Sequence, residues 1–111
     1  MKRLSKTISA LKVRYDVVIV GSGYGGGVAA SRLARCGRSV CLLERGREFQ
    51  IGEFPDQPLE ATKELQVHGQ HLRHGSPLGL YDLRLGDDMH VFVGCGLGGT
   101  SLINANVALR P

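Results

Sequence analysis

The feature that most constrains this chain is a break. The apolar run Tyr15-Asp16-Val17-Val18-Ile19-Val20 stops abruptly at Gly21-x-Gly23-x-x-Gly26, and a helix-periodic stretch follows. Such a short, continuous, β-branched run is what a strand buried on both faces of a parallel sheet requires. After a loop over 21–27, Val28, Ala29, Ala30, Leu33, Ala34 and Cys36 recur at helical spacing, with Ser31, Arg32 and Arg35 off that face. Gly37 supplies the stop. Ser39-Val40-Cys41-Leu42-Leu43 reads as a second buried strand, closing on Glu44-Arg45-Gly46. Strand, glycine loop, helix and strand make one βαβ unit with a right-handed crossover, so the expected fold class is α/β.

The glycine spacing assigns each residue a mechanical task. Gly21 permits a tight exit from the strand, Gly23 lets a pyrophosphate approach bare backbone, and Gly26 lets the helix pack close to the sheet. The helix that opens here points its unpaired N–H groups and positive dipole end at phosphates. Glu44 answers the loop from the end of the second strand. A carboxylate there can accept hydrogen bonds from both hydroxyls of an adenosine ribose and repels a 2′-phosphate. The expectation is a site for an ADP moiety, with NADP disfavoured and FAD and NAD both open. A glycine turn that merely packs is the plain alternative.

The remainder is less regular. Asp56 is the expected cap of a short helix with Pro58 in its first turn and Leu59, Thr62, Leu65 and Gln66 following. Gly69, Gly75 and Pro77 break any further pattern. Residues 80–85 and 89–93 alternate around Gly86-Asp87-Asp88, which predicts a β-hairpin with a three-residue turn. A second glycine cluster, Gly94-Cys95-Gly96-Leu97-Gly98-Gly99, leads into Thr100 and Ser101 and offers backbone N–H groups to another part of an extended cofactor. Nine of the 16 glycines thus fall in two loops.

Composition narrows the function classes. With 111 residues, 42% hydrophobic and 22% charged, the chain allows one globular domain and contains no apolar run long enough to span a membrane. The net charge of +4 is a property of the leader, since Lys2, Arg3, Lys6, Lys12 and Arg14 carry five positive charges and the remaining 9 basic and 10 acidic residues nearly cancel. Residues 1–14 are therefore expected to be a disordered basic leader and residues 15–111 the folded part, with no nucleic acid as partner. Three cysteines without a CxxC pair suit a reducing, cytoplasmic setting better than a disulfide scaffold or a zinc site. His68, His71 and His74 recur every three residues without a carboxylate among them, which is expected of exposed histidines rather than metal ligands. His90 is expected to be a packed or surface residue of the hairpin rather than an acid or base, and Cys95 to be a neutral spacer between glycines, since no activating His or Lys adjoins it.

The motifs Gly21-Ser22-Gly23-Tyr24-Gly25-Gly26-Gly27, Glu44-Arg45-Gly46-Arg47 and Gly98-Gly99-Thr100-Ser101-Leu102-Ile103-Asn104 together resemble the amino-terminal portion of glucose-methanol-choline (GMC) oxidoreductases, nearest their cholesterol oxidase-like branch. The resemblance covers residues 15–111. It implies an incomplete Rossmann-type FAD-binding fold, in a fragment of a longer enzyme that oxidises CH–OH groups of an alcohol or sterol-like small molecule by hydride transfer to flavin. It places Tyr24 and Gly25 against the pyrophosphate and Glu44 on the adenosine ribose. Thr100, Asn104, Ala105 and Val107 fall along the flavin, beside Gly98 and Gly99. Where the family has Asn-Gly-Gly this chain has Asn104-Ala105-Asn106, a departure that leaves the substrate open. Ile103 stands where some members carry a flavin-linking histidine, so non-covalent FAD is expected. The family's catalytic residues lie beyond residue 111, which implies no turnover for this chain alone, and two parallel strands whose helix and sheet faces lack the partners of a doubly wound fold imply poor stability. An NAD-dependent dehydrogenase fragment and a nucleotide-binding module without redox chemistry are the rival readings.

Overall fold

The computed structural model describes residues 2–104. The expectations for Ala105 and Val107 fall outside the described residues. Strand β1 (Val17–Val20) and strand β2 (Val40–Leu43) pair in parallel, Val17 opposite Val40 and Val20 opposite Leu43, with helix α1 (Tyr24–Arg35) between them in the chain. Gly37 ends α1 at φ 76°, its N–H donating to Ala34 O and that of Arg38 to Leu33 O. These two bonds satisfy carbonyls that a helix end leaves bare.

Two expectations about this unit are corrected. The helix starts at Tyr24 rather than after Gly27, so Gly25, Gly26 and Gly27 form its first turn instead of a loop. Helix propensity disfavours glycine there, but an added Cβ at Gly26 would lie 2.0 Å from Gly21 O and 3.5 Å from Ile19 Cγ2. Close seating of α1 on β1 outweighs the propensity cost. Nor is β1 buried on both faces. Val17 and Ile19 are partly buried while Val18 and Val20 are 56% and 84% exposed, because α1 covers only the Ile19 side.

A four-stranded mixed sheet follows, in the order β4-β3-β5-β6. It comprises β3 (Leu65–His68), β4 (Arg73–Gly75), β5 (Tyr81–Leu85) and β6 (His90–Gly94), with β3 and β5 parallel and the other pairs antiparallel. Leu85 stands opposite His90, so the hairpin connection is the four residues 86–89, closed by Gly86 N–H on Met89 O at 3.1 Å. Strands β3 and β4 were not expected from the pattern. The short helix α2 (Pro58–Lys63) is preceded by Gln57 with no side-chain cap, and Leu65 and Gln66 belong to β3. Asp56 is therefore not its cap. The histidine triplet is split by the same strands, His68 on β3 and His74 on β4 with His71 in the turn between.

The deepest side chains here are Gln66 on β3, Asp82 on β5 and Leu80 just before β5. The two units meet where β2 ends. A Cβ on Gly46 would lie 2.3 Å from Gly96 N, and Leu97 N–H donates to Arg47 O at 3.0 Å. No helix among the described residues is long and apolar enough to cross a membrane.

Candidate functional site

The turn from β1 into α1 carries the first half of the site. Gly21 leaves β1 at φ 90°, a left-handed conformation that favours glycine, and its N–H donates to Leu43 O at 2.8 Å, tying the turn to the end of β2. Gly23 precedes α1 with extended backbone, and no side chain caps the helix. The N–H groups of Tyr24, Gly25 and Gly26 therefore have no acceptor within the helix. A Cβ built on Gly23 or Gly25 meets nothing within 4 Å, whereas one on Gly26 strikes backbone. The glycines thus separate into three kinds: Gly21 for its conformation, Gly26 for close packing, and Gly23 and Gly25 with open space beside them.

Glu44 lies beside this turn, and Ser22 holds it there. Ser22 N–H and Oγ–H both donate to Glu44 Oε2, at 2.9 and 2.6 Å, and Gly46 N–H donates to Oε1 at 2.8 Å. Partial burial pushes the Glu44 pKa up, but the Ser22 hydroxyl and the Gly46 and Ser22 N–H groups outweigh it and hold the carboxyl below its ordinary range. Glu44 is thus an anion at neutral pH. These bonds occupy three of the carboxylate's roughly four lone-pair positions.

Ser22 is the residue that sequence reasoning missed. It is buried, and it joins the first glycine turn to Glu44 and to the second glycine cluster. Its single hydroxyl hydrogen goes to Glu44, while its oxygen accepts from Gly98 N–H at 2.9 Å, with Gly96 O more distant at 3.3 Å. A serine at a variable position of a glycine motif gives no spacing signal. Its hydroxyl between two glycines was the one available hint.

The second cluster packs directly on the first. Gly98 and Gly99 take φ values of 117° and 62° and lead into a 3-10 turn, Gly99–Ile103. A Cβ on Gly99 would sit 2.8 Å from Gly23 Cα. Gly94 N–H donates to Thr100 Oγ1 at 3.3 Å, and Asn104 Nδ2 donates to the Tyr24 hydroxyl at 3.3 Å. Gly21, Gly23, Tyr24, Glu44, Gly98, Gly99 and Asn104 therefore converge at the start of α1. Cys95 is buried behind the cluster, and Cys36 and Cys41 are free thiols as well. His90 is a surface residue at the start of β6.

A cavity of about 480 Å³ opens beside Glu44, walled by Leu4, Ile8 and Tyr15 on one side and Val40, Leu42 and Leu97 on the other. The leader reaches it by a polar anchor. Leu4 and Ser5 N–H groups donate to the two oxygens of Glu48 at 3.0 and 2.8 Å, holding that carboxyl below its ordinary range, and Arg3 bonds Glu48 O and pairs with Glu53.

Residues 16–53 match the family model described as an FAD binding domain. This match indicates FAD, and the donor set suits its ADP half: open glycines, a bare helix start and an ionised carboxylate. A cholesterol oxidase of Mycobacterium tuberculosis is 36% identical over 104 residues, which is 91% of this chain and 17% of that protein. A long-chain-alcohol oxidase of Arabidopsis thaliana is 37% identical over 101 residues, 91% of this chain and 12% of that protein. An uncharacterised GMC-type oxidoreductase of M. tuberculosis is 33% identical over 100 residues, 88% and 14% respectively. The chain thus spans less than a fifth of the length of the curated relatives it matches.

Proposed function

From its similarity to GMC-type oxidoreductases, which runs along about nine-tenths of the chain, we propose that this chain is the ADP-binding part of a Rossmann-type, FAD-dependent oxidoreductase acting on CH–OH groups of an alcohol or sterol-like substrate. The observation that carries this reading is the Ser22 junction, which sets an ionised Glu44 and both glycine loops around one helix start.

The residues divide the work. Gly23 and Gly25 leave room for a pyrophosphate, and the N–H groups of Tyr24, Gly25 and Gly26 face it with the positive end of α1. Glu44 accepts one hydroxyl of the adenosine ribose and, as an anion, turns away a 2′-phosphate. Thr100 and Asn104 hold the edge nearer the flavin, where the Asn104–Tyr24 bond ties that edge to the pyrophosphate turn. Ile103 offers no nucleophile to a flavin, so the cofactor is held without a covalent bond. When bound, FAD supplies the acceptor for a hydride leaving the substrate carbon.

Gel filtration of the full chain after mixing with FAD tests the reading. Yellow flavin absorbance should elute with the protein, and acid precipitation should release the flavin to the supernatant. Protein that elutes colourless contradicts FAD binding, and colour retained in the acid pellet contradicts non-covalent attachment. Binding of NAD in place of FAD would favour a dehydrogenase origin instead.

A further inference from the structure

The most deeply buried charge among the described residues lies outside the glycine loops. Asp82, at the centre of the second sheet, is fully buried, and its Oδ2 receives two guanidinium groups: Arg45 at 2.9 Å and Arg84 at 3.0 Å. Its Oδ1 has no hydrogen-bond partner among the described residues and lies 3.7 Å from His68 Nε2. An acid whose only task was to neutralise Arg84, two residues away on the same strand, would offer that fork both oxygens. Here one oxygen is shared with an arginine from the end of β2.

That arginine sits between Glu44 and Gly46. Its guanidinium also donates to Pro77 O at 3.1 Å and to Gln66 Oε1 at 3.3 Å, so a half-exposed side chain is fixed by three acceptors, two in the second sheet and one in the turn between β4 and β5. Gln66 is itself fully buried and braced, donating to Gly79 O at 2.6 Å. On the far side, Gly46 is pressed against the backbone of Cys95 and Gly96 and donates to Glu44 Oε1. The three residues 44–46 are therefore held at every position: Glu44 by Ser22, Arg45 by Asp82, Gly46 by the second glycine cluster. A buried ion pair contributes little net stability against an apolar substitute, so fixing a geometry is the stronger reason for one to sit here.

We propose that Asp82 is a positioning residue for Glu44, acting through Arg45, so that a carboxylate buried in the second sheet sets how well the chain grips a ribose hydroxyl. The inference rests on the assignment of Glu44 to the ribose made above.

Calorimetric titration of the full chain with ADP and with 2′,3′-dideoxy-ADP tests it. The wild type should prefer ADP by about tenfold, the worth of one charge-assisted hydrogen bond. Asp82→Asn and Arg45→Gln should each cut that preference to about twofold or less while leaving dideoxy-ADP affinity nearly unchanged. Arg84→Gln, which spares the Arg45 bond, should keep the preference. If Asp82→Asn does not fold, Arg45→Gln decides, since that side chain is half exposed. Retention of the full preference in the variants overturns the proposal, as does an equal loss for both ligands, which is the mark of a merely structural role. A wild type that binds both ligands equally contradicts the Glu44 assignment itself and the inference with it, and that outcome is read before any variant is made.

Discussion

The β1–β2 sheet is made of valine, isoleucine, leucine and one cysteine, yet Val18 and Val20 stand exposed, while the β4-β3-β5-β6 sheet buries Gln66 and Asp82 completely. Hydrophobicity therefore does not rank burial in this chain; neighbours do. Helix α1 covers the Ile19 side of the first sheet, and the opposite face carries Val18 and Val20 beside Cys41 and Leu43 in register. In the second sheet, Arg45 and Arg84 approach from different elements and satisfy a carboxylate that would be costly to bury alone. The apolar sheet is held by one helix seated through glycine. The polar-centred sheet is built around a charge network that also fixes Arg45, the residue next to the candidate ribose carboxylate.

The largest effect should come from the helix seat. Gly26→Ala places a methyl group against Gly21 O, where backbone and not a flexible side chain must move, so a loss of about 3 kcal/mol or more is expected in urea unfolding. A loss below 1 kcal/mol would show that α1 does not depend on that contact.

Next in size is the charge network. Asp82→Ala should cost about 2 kcal/mol at neutral pH, moderated because both arginines are half exposed and can turn to water. Burial pushes the Asp82 pKa up, but hydrogen bonds from Arg84 and Arg45 hold it below its ordinary range. A depressed folded pKa contributes stability that is complete above the unfolded value and lost as pH falls through the folded one. The gap between wild type and Asp82→Ala should therefore be full at pH 7 and narrow below about pH 4. A gap that widens on acidification contradicts the sign. At the small end, Val20→Thr on the bare face should change stability by no more than about 0.5 kcal/mol.

The same contrast explains what the sequence revealed. Strands β1 and β2 and the body of α1 were legible because their side chains repeat at strand and helix periods, and Glu44 because its distance from Gly26 is fixed by that geometry. The start of α1 was misplaced because Gly25, Gly26 and Gly27 read as loop by propensity, while the backbone contact that requires them is tertiary. Strands β3 and β4 were missed because they are only four and three residues long and the central Gln66 reads as a surface residue. The resemblance to GMC-type oxidoreductases came from three motifs and extends, in the relatives, along most of the chain. Ser22 and Asp82 gave no signal, because their roles exist only once the two sheets and the two glycine loops meet.

The central claim is that the turn from β1 into α1, with Glu44 beside it, binds the ADP half of FAD. Gly23→Ala tests it most directly, since a methyl group there meets no protein atom within 4 Å and the backbone needs no special conformation. Titration of wild type and Gly23→Ala with ADP, each paired with a urea unfolding curve, should show unchanged stability and at least a tenfold loss of affinity, about 1.4 kcal/mol. Equal affinity in the two proteins, or no binding by either, would contradict the account.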